Sequence, residues 1–250
     1  YLTWMRDMVT LQWGNSLLND ENIWLSFRKK IPVTLELVIM SVGLSTLIGI
    51  PAGVVMALRQ DTWADYVIRI LSLSGLSVPN FWIATMIIVG GMIFFNWGPS
   101  IFYEPIHKNF TGNLLMFVWP ALALGWTSMA TKSRMMRSSL LEVLRQDYVR
   151  TAYSKGLSER VVVLRHALKN ALIPVVTVIG LNVPVVIGGS IIIEQIFGLP
   201  GMGRLAVEAA FIRDYPVIIG VTLVYAFVVL LIILITDLSY AFLDPRIRYK

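Results

Sequence analysis

Asn170-Ala-Leu-Ile-Pro-Val-Val-Thr-Val-Ile-Gly-Leu-Asn-Val-Pro-Val-Val-Ile-Gly-Gly-Ser-Ile-Ile-Ile193 contains no charged residue. A helix needs roughly 20 apolar residues to cross about 30 Å of hydrocarbon, and this block is longer. Four more uncharged blocks match it, at 37–58, 70–103, 109–131 and 215–236. The whole chain is 56% hydrophobic and 14% charged over 250 residues, against about 25% charged in an average soluble domain. Closed β-barrels would show segments of about 10 alternating residues, and none occur here. Helices are the remaining way to satisfy a backbone in lipid. The expected fold class is therefore all-α: a polytopic membrane helical bundle with five visible spans.

Charge orients the spans, because cytoplasmic loops carry the excess of Lys and Arg. The segment 132–169 holds nine Lys/Arg against three Asp/Glu. With it placed inside, 59–69 and 237–250 follow it inside, and 1–30, 96–113 and 194–215 lie outside. Inside segments then hold 14 Lys/Arg and outside segments 7. An exterior 1–30 needs an earlier helix to carry it across, so a first span is expected to be missing, giving six in the intact protein. The domain reading is an external N-terminal segment, 1–30, and a transmembrane domain, 31–250. A cytoplasmic loop at 132–170 and an external loop at 194–215 interrupt that domain. The net charge of +6 is what topology supplies and does not imply nucleic acid.

Several chemistries are set aside by composition. Cysteine is absent, which excludes disulfides, iron–sulfur clusters and thiol catalysis. The two histidines, His107 and His166, make a histidine metal site improbable, although His107 lies in an outer loop. Intramembrane carboxylates mark proton and ion pathways. Glu36 and Asp237 lie near span ends and are expected to reach the interfaces, so ion-driven transport lacks its usual support. Neither histidine lies in a span, which counts against an intramembrane enzyme. A signalling or scaffold protein stays open at this point. Gly and Pro recur within the spans, as at Gly49, Pro51, Gly53, Gly75, Pro79, Pro174 and Pro184. Such residues permit close helix approach and kinks. That suits a moving bundle, and it also matches general membrane-helix composition.

The basic loop carries the most pattern. From Ser139 to Lys155 the spacing is helical, with Leu140, Leu141, Leu144, Tyr148 and Ala152 on one arc and Glu142, Gln146 and Arg150 opposite. Gly156 suits the residue past a helix end, where φ is positive. Ser158 can cap a second helix, on which Val161, Leu164 and Leu168 form an apolar face. The expectation is two short amphipathic helices hinged at Gly156 against the inner membrane surface. Lipid binding by a basic amphipathic helix explains the charge. It does not explain the helix–glycine–helix build.

Asp147-Tyr-Val-Arg-Thr-Ala-Tyr-Ser-Lys-Gly-Leu-Ser158 and His166-Ala-Leu-Lys-Asn-Ala-Leu-Ile-Pro174 resemble the "EAA" loop of ABC importer permeases, in the dipeptide/oligopeptide/nickel branch. Pro32-Val-Thr-Leu-Glu-Leu37, Glu194-Gln-Ile-Phe-Gly-Leu-Pro-Gly-Met-Gly-Arg204 and Asp244-Pro-Arg-Ile-Arg248 agree with it in order. Arg150 stands where the motif's Glu would, and the run from Gly156 to Pro174 is longer than the broad pattern. Both departures are usual for this branch.

The resemblance implies a type I importer permease in the inner membrane of a prokaryote. It implies a coupling surface at Tyr148, Arg150, Thr151, Ala152, Tyr153, Lys155, Gly156 and Leu157. Asn170 and Pro174 would mark the loop's hinge and re-entry. Glu194, Phe197, Pro200, Gly201 and Gly203 would form an external gate or the face for a binding protein. The implied partners are two cytosolic ATPase subunits, a second paralogous permease, an external substrate-binding protein and membrane lipid. No catalytic residue, metal or bound cofactor is expected in this chain. It has no Gly-x4-Gly-Lys-Ser/Thr loop, so ATP and Mg would be used by the partner ATPase. Peptide is the expected cargo, with nickel chelates, glutathione or glycosides as alternatives.

Overall fold

The computed structural model describes residues 2–18, 20–100 and 102–243, those at 2–4, 237 and 239–243 by backbone alone. The Asp244–Arg248 motif and the side chains of Trp4 and Asp237 lie outside what is described. The elements are α1 (Leu2–Val9), α2 (Ile23–Leu58), α3 (Trp63–Ser77), α4 (Asn80–Phe95), α5 (Phe110–Leu144) and α6 (Asp147–Ser154). After a turn, α7 (Glu159–Val161) passes through a π-helical stretch (Val162–Ala167) into α8 (Leu168–Phe197). A short external helix, α9 (Met202–Ile212), and the last span, α10 (Tyr215–Leu243), complete the chain. Among the described residues β pairing is confined to one isolated bridge, Asn15 with Asn22.

Among the described residues, four helical stretches are long and apolar enough to cross a membrane: Ile23–Leu58, Phe110–Leu144, Glu159–Phe197 and Tyr215–Thr236. The fifth expected span, 70–103, is not one rod. It is the pair α3 and α4, bent by 110° at Val78-Pro79. Proline disfavours the α region for the residue before it, and Val78 sits at φ −99°, ψ 125°. Each arm, of 15 and 16 residues, is about 23 Å long at 1.5 Å per residue, too short to cross about 30 Å of hydrocarbon alone. Asn96, at φ 49°, ends α4 ahead of the outer loop.

Helix α2 starts at Ile23, well before the uncharged block at 37. Asn22 opens it by accepting the Leu25 amide at 3.1 Å, the N-cap bond. Arg28, Lys29 and Lys30 are good helix formers. Their charge limits what lies in hydrocarbon, not where the helix begins.

The chain divides into two compact units. The first comprises Tyr1–Ser41, Asn80–Leu124 and Val185–Leu231; the second comprises Val42–Pro79, Gly125–Pro184 and Ile232–Lys250. Every segment assigned outside by charge belongs to the first unit, and every segment assigned inside belongs to the second. In the first unit Ile23 and Phe27 of α2 pack with Met202 and Ala209 of α9 and Val217 and Val221 of α10. Trp13 closes edge-on against Phe27 at 5.3 Å and lies 6.0 Å from Trp24, so these indoles belong to the external core.

In the second unit Ala57, Met136, Leu140, Ala167, Ala171 and Val175 form the core. Gly49 and Gly53, one turn apart on α2, face α5. A Cβ on Gly53 would lie 2.5 Å from the Ser133 carbonyl and the Met136 Cβ, and one on Gly49 would lie 2.9 Å from the Met129 carbonyl. This small-x3-small seam lets two backbones approach closely.

Candidate functional site

The cytoplasmic loop differs from the expected pair of short helices. Residues 139–144 are the end of α5, which stops at Arg145-Gln146 through tight bonds from Arg145 N to Glu142 O (3.2 Å) and Gln146 N to Val143 O (3.1 Å). Only α6 is a separate short helix. The second expected helix is continuous with the next span from Glu159 to Phe197. Ser158 occupies the N-cap position, but its side chain makes no cap bond. The π stretch from Val162 advances the register, so Val162, Val163 and Ala167 are buried while Leu164 is half-exposed. The expected face of Val161, Leu164 and Leu168 is rotated accordingly.

Helix α6 has eight residues, too few to be stable alone. It is held by Val149 and Ala152, which pack with Val162 against Val143 and Leu144. Asp147 in its first turn suits the positive end of the helix dipole. The far end is a Schellman motif. Leu157 N donates to Ala152 O (3.4 Å), Gly156 N donates to Tyr153 O (2.9 Å), and Gly156 adopts φ 79°. Tyr148, Arg150, Thr151, Tyr153, Lys155 and Leu157 remain exposed, whereas Ala152 points inward. The presented surface thus has two phenol rings, two cations and one leucine.

Asn170 links α6 to the following span, its Nδ2 donating to the Tyr148 hydroxyl at 2.7 Å. Neither Asn170 nor Pro174 breaks the helix, which runs through both. Pro174 lacks an N–H and so leaves the Asn170 carbonyl without its helical donor.

The external residues form a buried junction. Glu194, in the last turn of α8, is fully enclosed. Its Oε1 accepts the Thr34 hydroxyl (2.7 Å), and its Oε2 accepts the amides of Gly203 (2.7 Å) and Arg204 (3.1 Å). Thr34 in turn accepts the Met202 amide at 2.9 Å. Three first-turn donors of α9, which a helix cannot satisfy itself, are thereby met by α8 and α2. Gly201 and Gly203 make room: a Cβ on Gly201 would collide with the Glu194 carboxylate, and one on Gly203 would lie 2.5 Å from the Ile191 Cα. Gly198, at φ 68°, ends α8, with Leu199 N closing on Glu194 O at 2.9 Å. Phe197 is buried and Pro200 partly so. Glu194, Phe197, Gly201 and Gly203 therefore shape the loop from within, while the solvent face belongs to neighbours such as Phe211, Ile212 and Tyr215.

Two further charged groups, at the edges of the cytoplasmic segments, are buried. Lys132 is fully buried, and its Nζ donates to Ser45 Oγ (2.6 Å), Thr46 Oγ1 (3.0 Å) and Val42 O (3.4 Å) of α2. Asp65, in the cytoplasmic first turn of α3, is enclosed and accepts four bonds. They come from the Asp61 amide (3.1 Å), Arg69 Nη2 (2.6 Å), Arg137 Nε (3.3 Å) and Arg137 Nη2 (3.1 Å). Burial pushes its carboxyl upward. The Arg137 hydrogen bonds, the Asp61 amide and the two guanidinium charges outweigh that and hold it below its usual value. Polarity alone could not single out either residue. The available signals were Ser45-Thr46 one span away and Asp65 at helical spacing from Arg69. Glu36 is half-buried, with the Tyr103 hydroxyl 3.4 Å from its Oε2. Among the described residues no group of three or more His, Cys, Asp or Glu could hold a metal.

Residues 49–249 match the family described as the binding-protein-dependent transport system inner membrane component. The chain belongs to that family. The permease is 40% identical, over all of its length and 80% of the relative's, to the oligopeptide transport system permease protein AppB of Bacillus subtilis (strain 168). It is 37% identical to the dipeptide transport system permease protein DppB of the same organism, over 99% of this chain and 78% of that one. A putative peptide transport system permease protein of Brucella abortus (strain 2308) is 39% identical over 98% and 78%.

Among solved structures, the MetNI methionine ABC transporter in an inward-facing form superposes with a TM-score of 0.72 at 16% identity. The match covers 90% of this chain and 99% of that one. An amino acid ABC transporter gives 0.66 at 17%, over 86% and 93%. These share the fold. The permease is a multi-pass component of a bacterial inner membrane. It is a transport subunit rather than an enzyme, working with a separate ATPase and a substrate-binding protein.

Proposed function

We propose that this permease forms half of the translocation pore of an ATP-driven importer of di- or oligopeptides, with α6 as the element that engages the ATPase. The complex would hold two ATPase subunits, a second and paralogous permease, and an external binding protein. ATP and Mg would be bound by the ATPases alone. The observation that carries this reading is the build of α6. A short helix stands between two long ones, anchored by Val149 and Ala152 beneath and closed at Gly156, with Tyr148, Arg150, Tyr153, Lys155 and Leu157 outward. Movement applied to that surface passes directly into α5 and α8, because α6 packs against Val143, Leu144 and Val162. Peptide as cargo is supported by the relatives, which are oligopeptide and dipeptide transport permeases.

The test is reconstitution of the permease in liposomes with its paralogue, ATPases and binding protein. Uptake of labelled di- and oligopeptides is measured against nickel chelate, glutathione and a glycoside. ATP-dependent peptide uptake is expected. ATP-dependent uptake of one of the other solutes with none of peptide would overturn the cargo. Failure of the permease to co-purify with an ATPase in mild detergent would overturn the coupling role.

A further inference from the structure

The second unit contains an amphiphilic cleft of about 620 Å³ that no step of transport described above uses. Arg69, Leu73 and Leu76 line it from one face of α3, and Thr131, Arg134, Met135 and Ser138 from one face of α5. Both sets follow the three- and four-residue spacing that aligns side chains on a helix. Arg137, Met56 and Val178 complete the wall.

Polarity runs in the same direction on both helices. Arg69, Arg134 and Arg137 belong to the segments that charge places in the cytoplasm. Leu76 lies seven residues deeper on α3, about 10 Å along the axis, and Thr131 lies deeper on α5. The cleft is thus cationic at the depth of the inner headgroups and apolar toward the hydrocarbon.

Its positive charge is not neutralised from within. Asp65 is the carboxylate that serves Arg69 and Arg137, and its four bonds, three on Oδ2 and one on Oδ1, go to those two guanidinium groups and the Asp61 amide. Arg69 and Arg137 share it. Arg134 is exposed and has no ion-pair partner among the described residues. Basic pockets between spans on the cytoplasmic side suit anionic lipid headgroups, and guanidinium groups suit phosphate oxygens.

We infer that this cleft is a binding site for one anionic phospholipid of the inner leaflet. Its phosphate lies at Arg134 beside Arg69 and Arg137, and an acyl chain lies along Leu73, Leu76, Met135 and Val178. Here the lipid would be held at a defined place on α3 and α5, not merely as bulk solvent.

The experiment is native mass spectrometry of the assembled transporter, titrated with dioleoyl-phosphatidylglycerol or dioleoyl-phosphatidylcholine. The parent is expected to retain one phosphatidylglycerol in preference to phosphatidylcholine. Arg134→Gln is expected to weaken phosphatidylglycerol retention about fivefold, the factor for one cation at the surface, with phosphatidylcholine unchanged. Leu76→Trp, which fills the apolar end without altering charge, is expected to reduce retention of both. Equal retention of the two lipids by the parent, or no effect of Arg134→Gln, overturns the site. So does an Arg134→Gln effect confined to uptake of peptides with a free C-terminal carboxylate, since the anion is then the cargo's. Loosened pairing of the permeases by Arg134→Gln with lipid retention unchanged also overturns it, because the second permease then covers the cleft.

Discussion

Replacement of Gly156 separates two ways in which the α6 surface could fail. The residue sits at φ 79° and nothing lies within 4 Å of where its Cβ would be. A side chain there meets no neighbour in this chain, so the penalty is conformational. An L-residue in the left-handed region costs roughly 1–2 kcal/mol, with Asn and Asp tolerated best and β-branched residues worst. That energy falls on an eight-residue helix whose last turn is closed by two bonds, Leu157 N to Ala152 O and Gly156 N to Tyr153 O. A shift of 1–2 kcal/mol changes the ratio of closed to open turn by a factor of about 5–30.

Peptide taken up per ATP hydrolysed in proteoliposomes should therefore fall for Gly156→Ala, by at most about 5–30-fold, and further for Gly156→Val. For Gly156→Asn it should fall less than about threefold. Membrane content and thermal stability of the solubilised permease should stay near the parent's, because the α5–α8 core does not involve residue 156. Gly156→Asp has Asn's backbone tolerance but adds negative charge at a helix C-terminus, unfavourable by about 0.3–1 kcal/mol. It should fall between Asn and Val. The ordering is decisive. If Asn and Val impair coupling equally, backbone geometry at Gly156 is not what the ATPase reads.

Three other perturbations follow from the buried groups. Glu194→Ala strips acceptors from Gly203, Arg204 and Thr34. It should destabilise the solubilised permease by about 2–3 kcal/mol, seen as a lower Tm, while Glu194→Gln should cost less; equal losses would refute the capping role. Lys132→Met should change stability by less than about 1 kcal/mol, because Ser45 and Thr46 also bond the Val42 carbonyl. Removing both hydroxyls by Ser45→Ala and Thr46→Val should cost more, about 2–4 kcal/mol, by leaving a buried ammonium nearly bare; the opposite ranking would show that the hydroxyls do not hold Lys132. Asp65 has its folded pKa lowered, so its stabilisation is complete above the unfolded value of about 3.9 and is lost as pH falls through the folded value. The Tm advantage of the parent over Asp65→Asn should be constant from neutral pH to about 5 and shrink below about 4; an advantage that grows on acidification would refute the ion-pair assignment.

What the sequence could reveal depended on whether a feature was local. Spans 37–58, 170–193 and 215–236 lie wholly in helices, and 109–131 does from Phe110 onward, because an uncharged run of that length has one stable form in lipid. Gly156 at the end of α6 is equally local, since glycine is the residue that takes positive φ past a helix end at least cost. The bend at Pro79 was signalled by its own proline, but hydropathy averages over it and treats the block as one segment. Helical periodicity was misleading from Ser139 to Lys155, where the same arc continues across the break at Arg145-Gln146. Tertiary packing of Val149 and Ala152 on Val162 decides that break, and no spacing within 139–155 encodes it. Glu194 illustrates the converse. Its motif was visible, but charge suggested exposure, and only the approach of Thr34 from 160 residues away reveals that the carboxylate is an internal cap.

The buried charges share a position in the architecture that bears on how force could pass through it. Lys132 joins α5 to α2, Asp65 joins α3 to α5 through Arg137, and Glu194 joins α8 and α2 to the start of α9. Hydrophobic packing discriminates weakly between helix registers in lipid, where tails are as apolar as the side chains. A buried charge with several short bonds does discriminate, because sliding by one turn would leave it unpaired at a cost of several kcal/mol. Each unit therefore contains helices pinned to one another at fixed heights. A push on α6 meets α5 and α8 at Val143, Leu144 and Val162. Through α5 it meets α2 at Lys132 and α3 at Arg137, so that these spans move as connected rods and not as independently sliding cylinders. Substituting the hydroxyl partners of Lys132 should then lower uptake per ATP more than it lowers ATP hydrolysis. A proportional fall in both would mean that the buried lysine serves stability alone.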